Sequence, residues 1–507
     1  MNLIDRIALS ISIIAVLVNA LVAGNIYENM PHIEDEIAYV WQAETIARGD
    51  LTLQTPTVCP NCFLVPFVVD YNGQRFGKYP LGWPVVLSFG IRLGARNLVN
   101  PLLAGLCVWF LYRLVKKILD EKTALLAAFL MTISPFFIMN SSTLLAHTWS
   151  LFLTIIFANA WIDITQQKNN VPKVILIFTA GLSLGLLALT RPLSALAVAF
   201  PFLIHAGILL FKGNRQLRKS LIAVALITGL VASLHFLWQY ALTGNALMNP
   251  YQLWWDYDRV GFGPGIGLQE GGYKLSDARA NMKFSLHAGY SDLFGWFNLS
   301  WIFLPAGLIA IRKNKQAWLI SSIFPALLVA YCFYWIGSWL FGPRYYFEGI
   351  VSLVTLTAAG MRWSAGKLMD LSKGKFTYRF SRIRFALVSG ISLFLILSNL
   401  LFYLPARLNS HQGLYGASLA RQAVFRSSAA IPYTPALIIV HKIDHWIEYG
   451  GLLDLSSPYW DTPFVFTFSR GMELDEQVAT LFPDRQVWHY YADTPNLLYK
   501  YPRESIP

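Results

Sequence analysis

Long apolar runs recur along the whole chain, and they constrain its fold more than any other feature of the sequence. Each run of about 17 to 22 residues is long enough to cross a bilayer core of about 30 Å as a helix. We predict about eleven spans, within a range of about 11 to 13, at residues 7–24, 98–118, 122–140, 144–162, 173–190, 193–211, 219–242, 293–311, 316–336, 345–361 and 384–404. The sequence therefore indicates a polytopic α-helical membrane protein.

The composition agrees with a chain that lies mostly in lipid. Of the 507 residues, 55% are hydrophobic and 13% are charged, whereas a soluble domain carries about 25% charged residues. The first span follows Asp5 and Arg6 and lacks a small-residue cleavage site, so we expect a retained anchor rather than a signal peptide. The apolar stretch 81–96 contains one proline and two arginines, which favours a re-entrant or juxtamembrane helix, with a twelfth span as the alternative.

Basic residues indicate how the spans are oriented. With the N-terminus in the cytoplasm, about 21 of the 40 lysines and arginines fall in short inner loops, as the positive-inside rule requires. The formal net charge of +12 is thus largely a topology signal and gives no reason to expect a nucleic acid partner. We expect an integral protein of a bacterial inner membrane. Its polar segments then face outward: the first outer loop 25–97 with juxtamembrane helices, the outer loop 243–292, and the tail.

The tail is the only segment predicted to fold outside the membrane. Three short strands are predicted at Ala436–Val440, Val465–Phe468 and Gln486–Tyr491, and a helical pattern precedes the first. We therefore divide the chain into a membrane domain at 1–404 and a small extracytoplasmic α/β domain at 405–507, to which we assign no chemistry. In the first outer loop, Cys59 and Cys62 have the spacing of a local disulfide on an oxidising face.

An acidic segment follows the first span and is the first candidate for a functional site. Residues 31–49 predict an amphipathic helix on the bilayer surface, whose apolar face contains Ile33, Ile37, Val40 and Trp41 and whose second face contains Asp35, Tyr39, Gln42 and Ile46. Glu34, Asp35 and Glu36 crowd its first turn. Carboxylates there also complement the helix dipole, but three adjacent ones beside lipid concentrate charge, and we interpret them as a site.

Outward cations are the second candidate group. Lys78 and Tyr79 lie in the segment RFGKYPLGWP, where a fixed ammonium suits a phosphate and a snorkelling lysine is the alternative. Arg344 and Tyr345 begin a late span, and an i, i+4 pair of Arg344 with Glu348 is the competing explanation. The other outward polar residues are His147, which is otherwise a structural hydrogen-bonding residue, Arg191 and Arg259. The outer loop 243–292 is rich in glycine and aromatic residues, which favours a mobile lid or a disordered connector.

The acidic pair, then KYPL in the same loop, then PRYY before a late span, resemble in their order the GT-C membrane glycosyltransferases. The similarity is to the protein O-mannosyltransferase and lipid A aminoarabinose transferase group. It implies a sugar donor on a polyprenyl phosphate and transfer outside the cytoplasm. It also implies that Asp35 is the catalytic acidic residue with Glu36 its neighbour, and that Lys78 and Arg344 bind the donor phosphate. His147 stands near the expected position of a second acid, so a metal stays undecided and no cofactor is required.

The residues themselves support the same chemistry. Lys78 and Arg344 can neutralise a leaving phosphate, and Asp35 can deprotonate an acceptor hydroxyl while Glu34 or Glu36 orients it. We therefore expect an inverting glycosyltransferase whose partners are a polyprenyl-phosphate sugar, membrane lipids, and a lipid, glycan or protein acceptor. The supporting residues are Tyr39, Tyr79, His147, Arg191, Arg259 and Tyr345. A flippase for a lipid-linked substrate and a non-catalytic membrane assembly protein are the alternatives.

Overall fold

The structure is a computed structural model that describes residues 1–166, 172–366, 377–441 and 446–503. Several basic residues counted toward the inner loops lie outside these ranges, namely Lys168, Lys367, Lys373 and Lys375. Within the described residues the chain forms a helical bundle, a loop-rich layer at one end of it, and a small sheet beside that layer.

Six described helices are long and apolar enough to cross a membrane: Leu3–Asn25, Arg96–Ile118, His147–Gln166, Pro192–Lys212, Arg215–Thr243 and Arg382–Asn409. Two bent helix pairs bring the number to eight if each is one span: Glu121–Thr132 with Pro135–Ser141, bent by 61°, and Leu275–Asp292 with Phe297–Ile311, bent by 104°. The first bend falls at Pro135, whose ring cannot continue the hydrogen-bonding ladder of a helix.

The other predicted spans coincide with shorter helices. These are Lys173–Ala188, Lys315–Ser321 with Ile323–Tyr331, and Ile350–Ser364. A helix of 16 residues such as Lys173–Ala188 is about 24 Å long, which is less than the thickness of a bilayer core. The helical membrane fold is thus supported, and the number of about eleven spans stays a prediction.

Ion pairs gather at the end of the bundle that carries the N-terminus. Lys116 lies 2.7 Å from both Asp5 and Glu121, and Lys117 lies 2.7 Å from Asp163. These lysines end the second long helix, whose opposite end contacts the first outer loop. Lys116 and Lys117, two of the predicted inner basic residues, therefore lie at the opposite end of their helix from the first outer loop.

The first outer loop is a folded layer. It contains the helix Glu34–Ala47, here called the acidic helix, and the helix Gly82–Arg92. An antiparallel sheet of Leu53–Gln54, Val68–Tyr71 and Gln74–Gly77 joins them, with the third strand in the middle. The helix Gly82–Arg92 has 11 residues, about 16 Å of rise, which is too short to cross a bilayer core. The twelfth span is therefore not supported, and a re-entrant or juxtamembrane helix stays the prediction. A disulfide joins Cys59 to Cys62.

The acidic helix does not lie on a bilayer surface, and this part of the prediction is wrong. Ile37 and Trp41 are buried against Val65 and Val68 of the same outer loop. Trp446 and Leu453 of the tail pack against the same cluster. The apolar face that lipid was expected to cover is covered by protein, because the loop and the tail both fold over it.

The outer loop 243–292 is ordered by its aromatic residues and is not a disordered connector. It contains the short helix Pro250–Trp254 and then the helix Leu275–Asp292, which begins soon after the last glycines and runs into the next span. Phe262 stacks on Tyr273, with ring centroids 5.3 Å apart and planes inclined by 7°. The loop is helical over its second half, and its function as a mobile lid stays a prediction.

The tail forms a four-stranded sheet from Ala436–His441, Phe464–Phe468, Gln486–Tyr491 and Leu498–Tyr499. The first strand is central, with the second and third parallel to it on either side and the fourth antiparallel at the edge. Helices Ile447–Leu453 and Met472–Thr480 connect the parallel strands, as parallel pairing requires. The three predicted strands are confirmed, whereas the domain boundary at residue 405 stays a prediction.

Candidate active site

Asp35 lies in the first turn of the acidic helix and joins two of the other predicted residues. The hydroxyl of Tyr79 donates a hydrogen bond of 2.6 Å to Oδ1 of Asp35. Nη2 of Arg344 donates to Oδ2 at 3.3 Å and completes an ion pair. Residues that are 309 positions apart in the sequence thus meet at one carboxylate.

Arg344 enters this site from the turn that precedes the helix Ile350–Ser364. Pro343 ends the preceding loop, and Arg344–Gly349 forms a short 3-10 helix that turns the guanidinium toward Asp35. The arginine side chain is 15% exposed, and its carbon Cζ lies 5.8 Å from the ring centre of Tyr345. Its Nη1 is buried without a hydrogen-bond partner among the described residues.

Lys78 follows the strand Gln74–Gly77 and is enclosed by aromatic rings. Its Nζ lies 3.6 Å from the ring centre of Phe67, 4.9 Å from that of Tyr251 and 4.8 Å from that of Trp255. The side chain is 3% exposed, and burial lowers the pKa of Lys78 while the charge of Asp258 opposes the shift. A snorkelling lysine among lipid headgroups is therefore wrong.

Asp258 is a site residue that the sequence analysis missed. Its Oδ2 lies 3.6 Å from Nζ of Lys78. Its Oδ1 accepts hydrogen bonds of 3.0 Å from the Tyr334 hydroxyl and from Nε1 of Trp335. The outer loop thus supplies the counter-ion of Lys78. The available signal was the segment WWDYD, where two carboxylates stand among aromatic residues.

Gly77 makes room for the side chain that fixes the start of this segment. A Cβ at Gly77 would stand 2.3 Å from Cγ of Gln42 on the acidic helix. The amide of Gln42 donates hydrogen bonds to the carbonyl oxygens of Gly77 at 3.3 Å and of Tyr79 at 2.9 Å. The glycine before Lys78 is therefore needed for a close approach between strand and helix.

The two glutamates beside Asp35 have different surroundings. Glu36 is 1% exposed and accepts backbone hydrogen bonds from His32 at 2.9 Å and from Leu144 at 2.7 Å. It fastens the helix start to the loop before His147, so the geometry describes a positioning residue rather than a catalytic one. Burial raises the pKa of both Glu36 and Glu34 to about 7, and the charge of Asp35 also raises that of Glu34.

Arg191 and Glu348 form a second ion pair, separate from that of Asp35 with Arg344. Nη1 of Arg191 donates to Oε1 of Glu348 at 2.8 Å, and the Ser150 hydroxyl donates to the same oxygen at 2.6 Å. Nη2 of Arg191 donates to the Tyr331 hydroxyl at 2.9 Å. The expected alternative, a pair of Glu348 with Arg344, is wrong because the short 3-10 turn directs the two side chains apart.

The remaining predicted residues divide between this site and its surroundings. His147 is 6% exposed within range of the charges of Arg191 and Arg344, and neither ring nitrogen has a hydrogen-bond partner among the described residues, so its role stays a prediction. The ring of Tyr39 packs 4.4 Å from that of Tyr79. Tyr345 stacks on Tyr331 at 5.2 Å. Arg259 is exposed and donates to the carbonyl oxygen of Asp256, away from these contacts.

The site residues do not have the composition of a metal centre. Both oxygens of Asp35 are engaged, one of them by the cation of Arg344, and a histidine between two arginines stands where a second acid was expected. The described residues contain no group of three or more His, Cys, Asp or Glu side chains placed to hold a metal ion. We therefore derive no step through a metal.

Part of the chain matches a known protein family. Residues 85–238, less than a third of the chain, match the family model described as dolichyl-phosphate-mannose-protein mannosyltransferase. The match includes His147 and Arg191, whereas Asp35, Lys78 and Arg344 lie outside it. A comparison with curated proteins finds no match.

Solved structures give the fold. ArnT from Cupriavidus metallidurans, bound to undecaprenyl phosphate, aligns with a TM-score of 0.57 at 14% identity, over 96% of this chain and 89% of that one. The apo oligosaccharyltransferase of Archaeoglobus fulgidus aligns with a TM-score of 0.52 at 13% identity over 87% of this chain. The oligosaccharyltransferase AglB of that organism, solved with an inhibitory peptide and a dolichol-phosphate, aligns with a TM-score of 0.51 at 14% identity over 89%. This chain spans 63% and 64% of the lengths of those two.

These findings confirm the resemblance stated from the sequence, and they agree with the predicted class of enzyme. The chain has the fold of the GT-C membrane glycosyltransferases, and its residues 85–238 match the dolichyl-phosphate-mannose-protein mannosyltransferase family.

Proposed function

We propose that this protein is an inverting glycosyltransferase that takes a sugar from a polyprenyl-phosphate donor on the extracytoplasmic face of a bacterial inner membrane. The observation that carries the proposal is the contact of Asp35 with Arg344 and Tyr79, directly beside the buried ammonium of Lys78. A carboxylate and two buried cations at one end of a helical bundle suit an anionic lipid headgroup.

The cations provide the leaving-group chemistry. A polyprenyl phosphate leaves readily when its charge is neutralised in a partly desolvated site. Lys78 and Arg344 each contact a carboxylate, Asp258 and Asp35 respectively. We infer that the donor phosphate takes over both cations, so that Asp258 withdraws with its loop and Asp35 loses its ion pair.

Asp35 then acts as the base. Its carboxylate removes the proton of the acceptor hydroxyl while that oxygen attacks the anomeric carbon from the side opposite the phosphate. The phosphate leaves without needing a proton, so a single displacement with inversion requires no second carboxylic acid. The hydrogen bond from Tyr79 at 2.6 Å fixes the orientation of the base.

The comparisons support the class of donor. ArnT was solved with undecaprenyl phosphate and AglB with a dolichol-phosphate and an inhibitory peptide. Both lipids end in a phosphate, the group for which Lys78 and Arg344 are suited. A lipid, a glycan or a protein serves as acceptor in the proposal.

The two alternatives predict different geometry. A flippase places its polar residues near the middle of the bilayer between repeated halves. The residues described above instead lie near one end of the helical bundle, around the start of the acidic helix and the turn at Arg344. A non-catalytic assembly protein gives no reason to bury Lys78 against a single carboxylate.

The experiment uses full-length protein in lipid nanodiscs with undecaprenyl-phosphate-linked sugars and extracts of envelope lipids, glycans and proteins as acceptors. We expect covalent transfer by the wild type and a loss of about 100- to 10,000-fold in Asp35→Asn, with undecaprenyl phosphate binding and thermal stability retained. Glu44→Gln, on the opposite face of the same helix, is the matched control and should keep its activity. Transfer at the wild-type rate by Asp35→Asn would overturn the assigned base, and translocation without transfer would favour the flippase.

A further inference from the structure

Buried polar atoms without partners occur at Arg344 and at residues around the Arg191–Glu348 ion pair. Among the described residues they include both ring nitrogens of His147, Oε2 of Glu348 and Nη1 of Arg344. Glu348 is 0% exposed and His147 is 6% exposed. Because a buried polar group without a hydrogen bond costs free energy, such groups mark a place where a ligand supplies the missing partners.

These atoms belong to one connected group, here called the polar pocket and defined by His147, Arg191, Arg344 and Glu348. His147 and Ser150 lie on one helical turn, where the Ser150 hydroxyl bonds both to the backbone oxygen of His147 and to Glu348. Arg191 holds Oε1 of Glu348, which leaves Oε2 free. The charges of Arg191 and Arg344 both reach His147.

The unpartnered atoms of the polar pocket indicate which chemical groups a ligand must carry. Oε2 of Glu348 only accepts hydrogen bonds, Nη1 of Arg344 only donates them, and a neutral imidazole does one of each. A hydroxyl group both donates and accepts, so neighbouring hydroxyls satisfy all these atoms. An ammonium cannot accept from Arg344 and would be repelled by it and by Arg191, and a second anion would face Glu348.

We propose that the polar pocket binds the hydroxyl groups of an uncharged sugar ring, with Glu348 and His147 as its specificity-determining residues. This inference rests on the proposed function, since it assigns the sugar to residues other than the phosphate-binding Lys78. Arg191 is a positioning residue, because it holds Glu348 with one edge free. The hydroxyls belong either to the donor sugar or to a sugar on the acceptor.

The first experiment measures the affinity of full-length protein in nanodiscs for undecaprenyl phosphate and for the same lipid carrying mannose, glucose or 4-amino-4-deoxyarabinose. We expect the wild type to prefer a neutral sugar over bare phosphate by about tenfold. Glu348→Gln and His147→Phe should each lose that preference and keep the affinity for bare undecaprenyl phosphate. His147→Asn, which retains a donor and an acceptor, should recover part of it.

A matched control is available in His411, another buried histidine. It is 1% exposed with Nε2 unpartnered, and its Nδ1 contacts the hydroxyl of Tyr27 at 2.8 Å, outside the polar pocket. His411→Phe should leave the sugar preference unchanged. Because Glu348→Gln disturbs a buried ion pair, His147→Phe provides an independent test if that variant does not fold.

The outcomes separate the two sources of hydroxyls and the two proposals. An unchanged donor preference with an acceptor KM raised about tenfold in both variants would assign the pocket to the acceptor sugar. Unchanged donor preference and unchanged KM in folded variants, or a wild-type preference for the amino sugar, would overturn this inference. Failure of the wild type to bind bare undecaprenyl phosphate would overturn the proposed function instead.

Discussion

Lys78 and the polar pocket hold their charges in different ways. Lys78 lies among the rings of Phe67, Tyr251 and Trp255, with the counter-ion Asp258. In the polar pocket the charged groups share hydrogen bonds with hydroxyls, and several of their atoms have no partner among the described residues. An aromatic enclosure responds mainly to charge, whereas a network of directed donors and acceptors responds to the positions of hydroxyls. The difference suits the two ends of a sugar phosphate.

Removal of Lys78 should have the largest effect on the binding of undecaprenyl phosphate. A lone Lys78→Met would leave Asp258 buried without a counter-ion and would cost stability, so the variant is made together with Asp258→Asn. We expect the double variant to bind undecaprenyl phosphate about 100-fold more weakly than Asp258→Asn alone. Equilibrium binding in nanodiscs measures this, and equal affinities would show that Lys78 does not contact the phosphate.

Gly77→Ala tests the close packing of the segment before Lys78 against Gln42 of the acidic helix. The added methyl group would meet the side chain of Gln42 at 2.3 Å, and overpacking of this kind costs about 1–3 kcal/mol. We expect a lower melting temperature and weaker phosphate binding, because Gln42 holds the carbonyl group of Tyr79. Gly229, in the helix Arg215–Thr243, has open space around it, so Gly229→Ala is the matched control. Equal melting temperatures for the two variants would contradict the tight contact.

Asp258→Asn should strengthen phosphate binding, in contrast to the loss of Lys78. The carboxylate competes with a phosphate for Lys78, so its removal should raise the affinity for undecaprenyl phosphate by about tenfold. The sugar preference should stay as in the wild type, because the polar pocket is untouched. A lower affinity in this variant would mean that Asp258 orients Lys78 for the donor and does not compete with it.

The smallest expected effect concerns pH. Burial and the charge of Asp35 raise the pKa of Glu34 to about 7, so Glu34 gains its negative charge as the pH rises through neutrality. That charge opposes an anion at Lys78 and Arg344, so donor affinity should fall by about threefold between pH 6 and 8. A sugar phosphodiester donor is used because its own charge is constant in this range. Glu34→Gln should flatten the profile, and an unchanged slope would exclude Glu34 as its source.

The sequence was sufficient for the class of fold and for several site residues. Apolar length and the distribution of basic residues indicate a helical membrane protein, because both follow from the cost of burying backbone and charge in lipid. The order of the DE, KYPL and PRYY motifs pointed to Asp35, Lys78 and Arg344. Asp35 and Arg344 are now seen in contact, although the catalytic and phosphate-binding roles stay proposals.

The errors have a common physical origin in long-range contacts. The spacing of Ile37 and Trp41 gives an apolar face, but it cannot tell whether lipid or the tail covers that face. The pairing of Glu348 with Arg191 spans 157 positions, and local spacing favoured the nearer Arg344 instead. Asp258 was missed for the same reason, because its partner Lys78 belongs to another loop.

In the proposed reaction, the ion pair of Asp35 with Arg344 imposes an order of binding. While the arginine holds one carboxylate oxygen at 3.3 Å and Tyr79 holds the other at 2.6 Å, neither oxygen is free to contact an acceptor hydroxyl. An arriving phosphate offers Arg344 another anion, so the proposal requires the lipid donor to bind before a hydroxyl is activated. Steady-state kinetics should then show compulsory ordered binding, in which the donor binds before the acceptor.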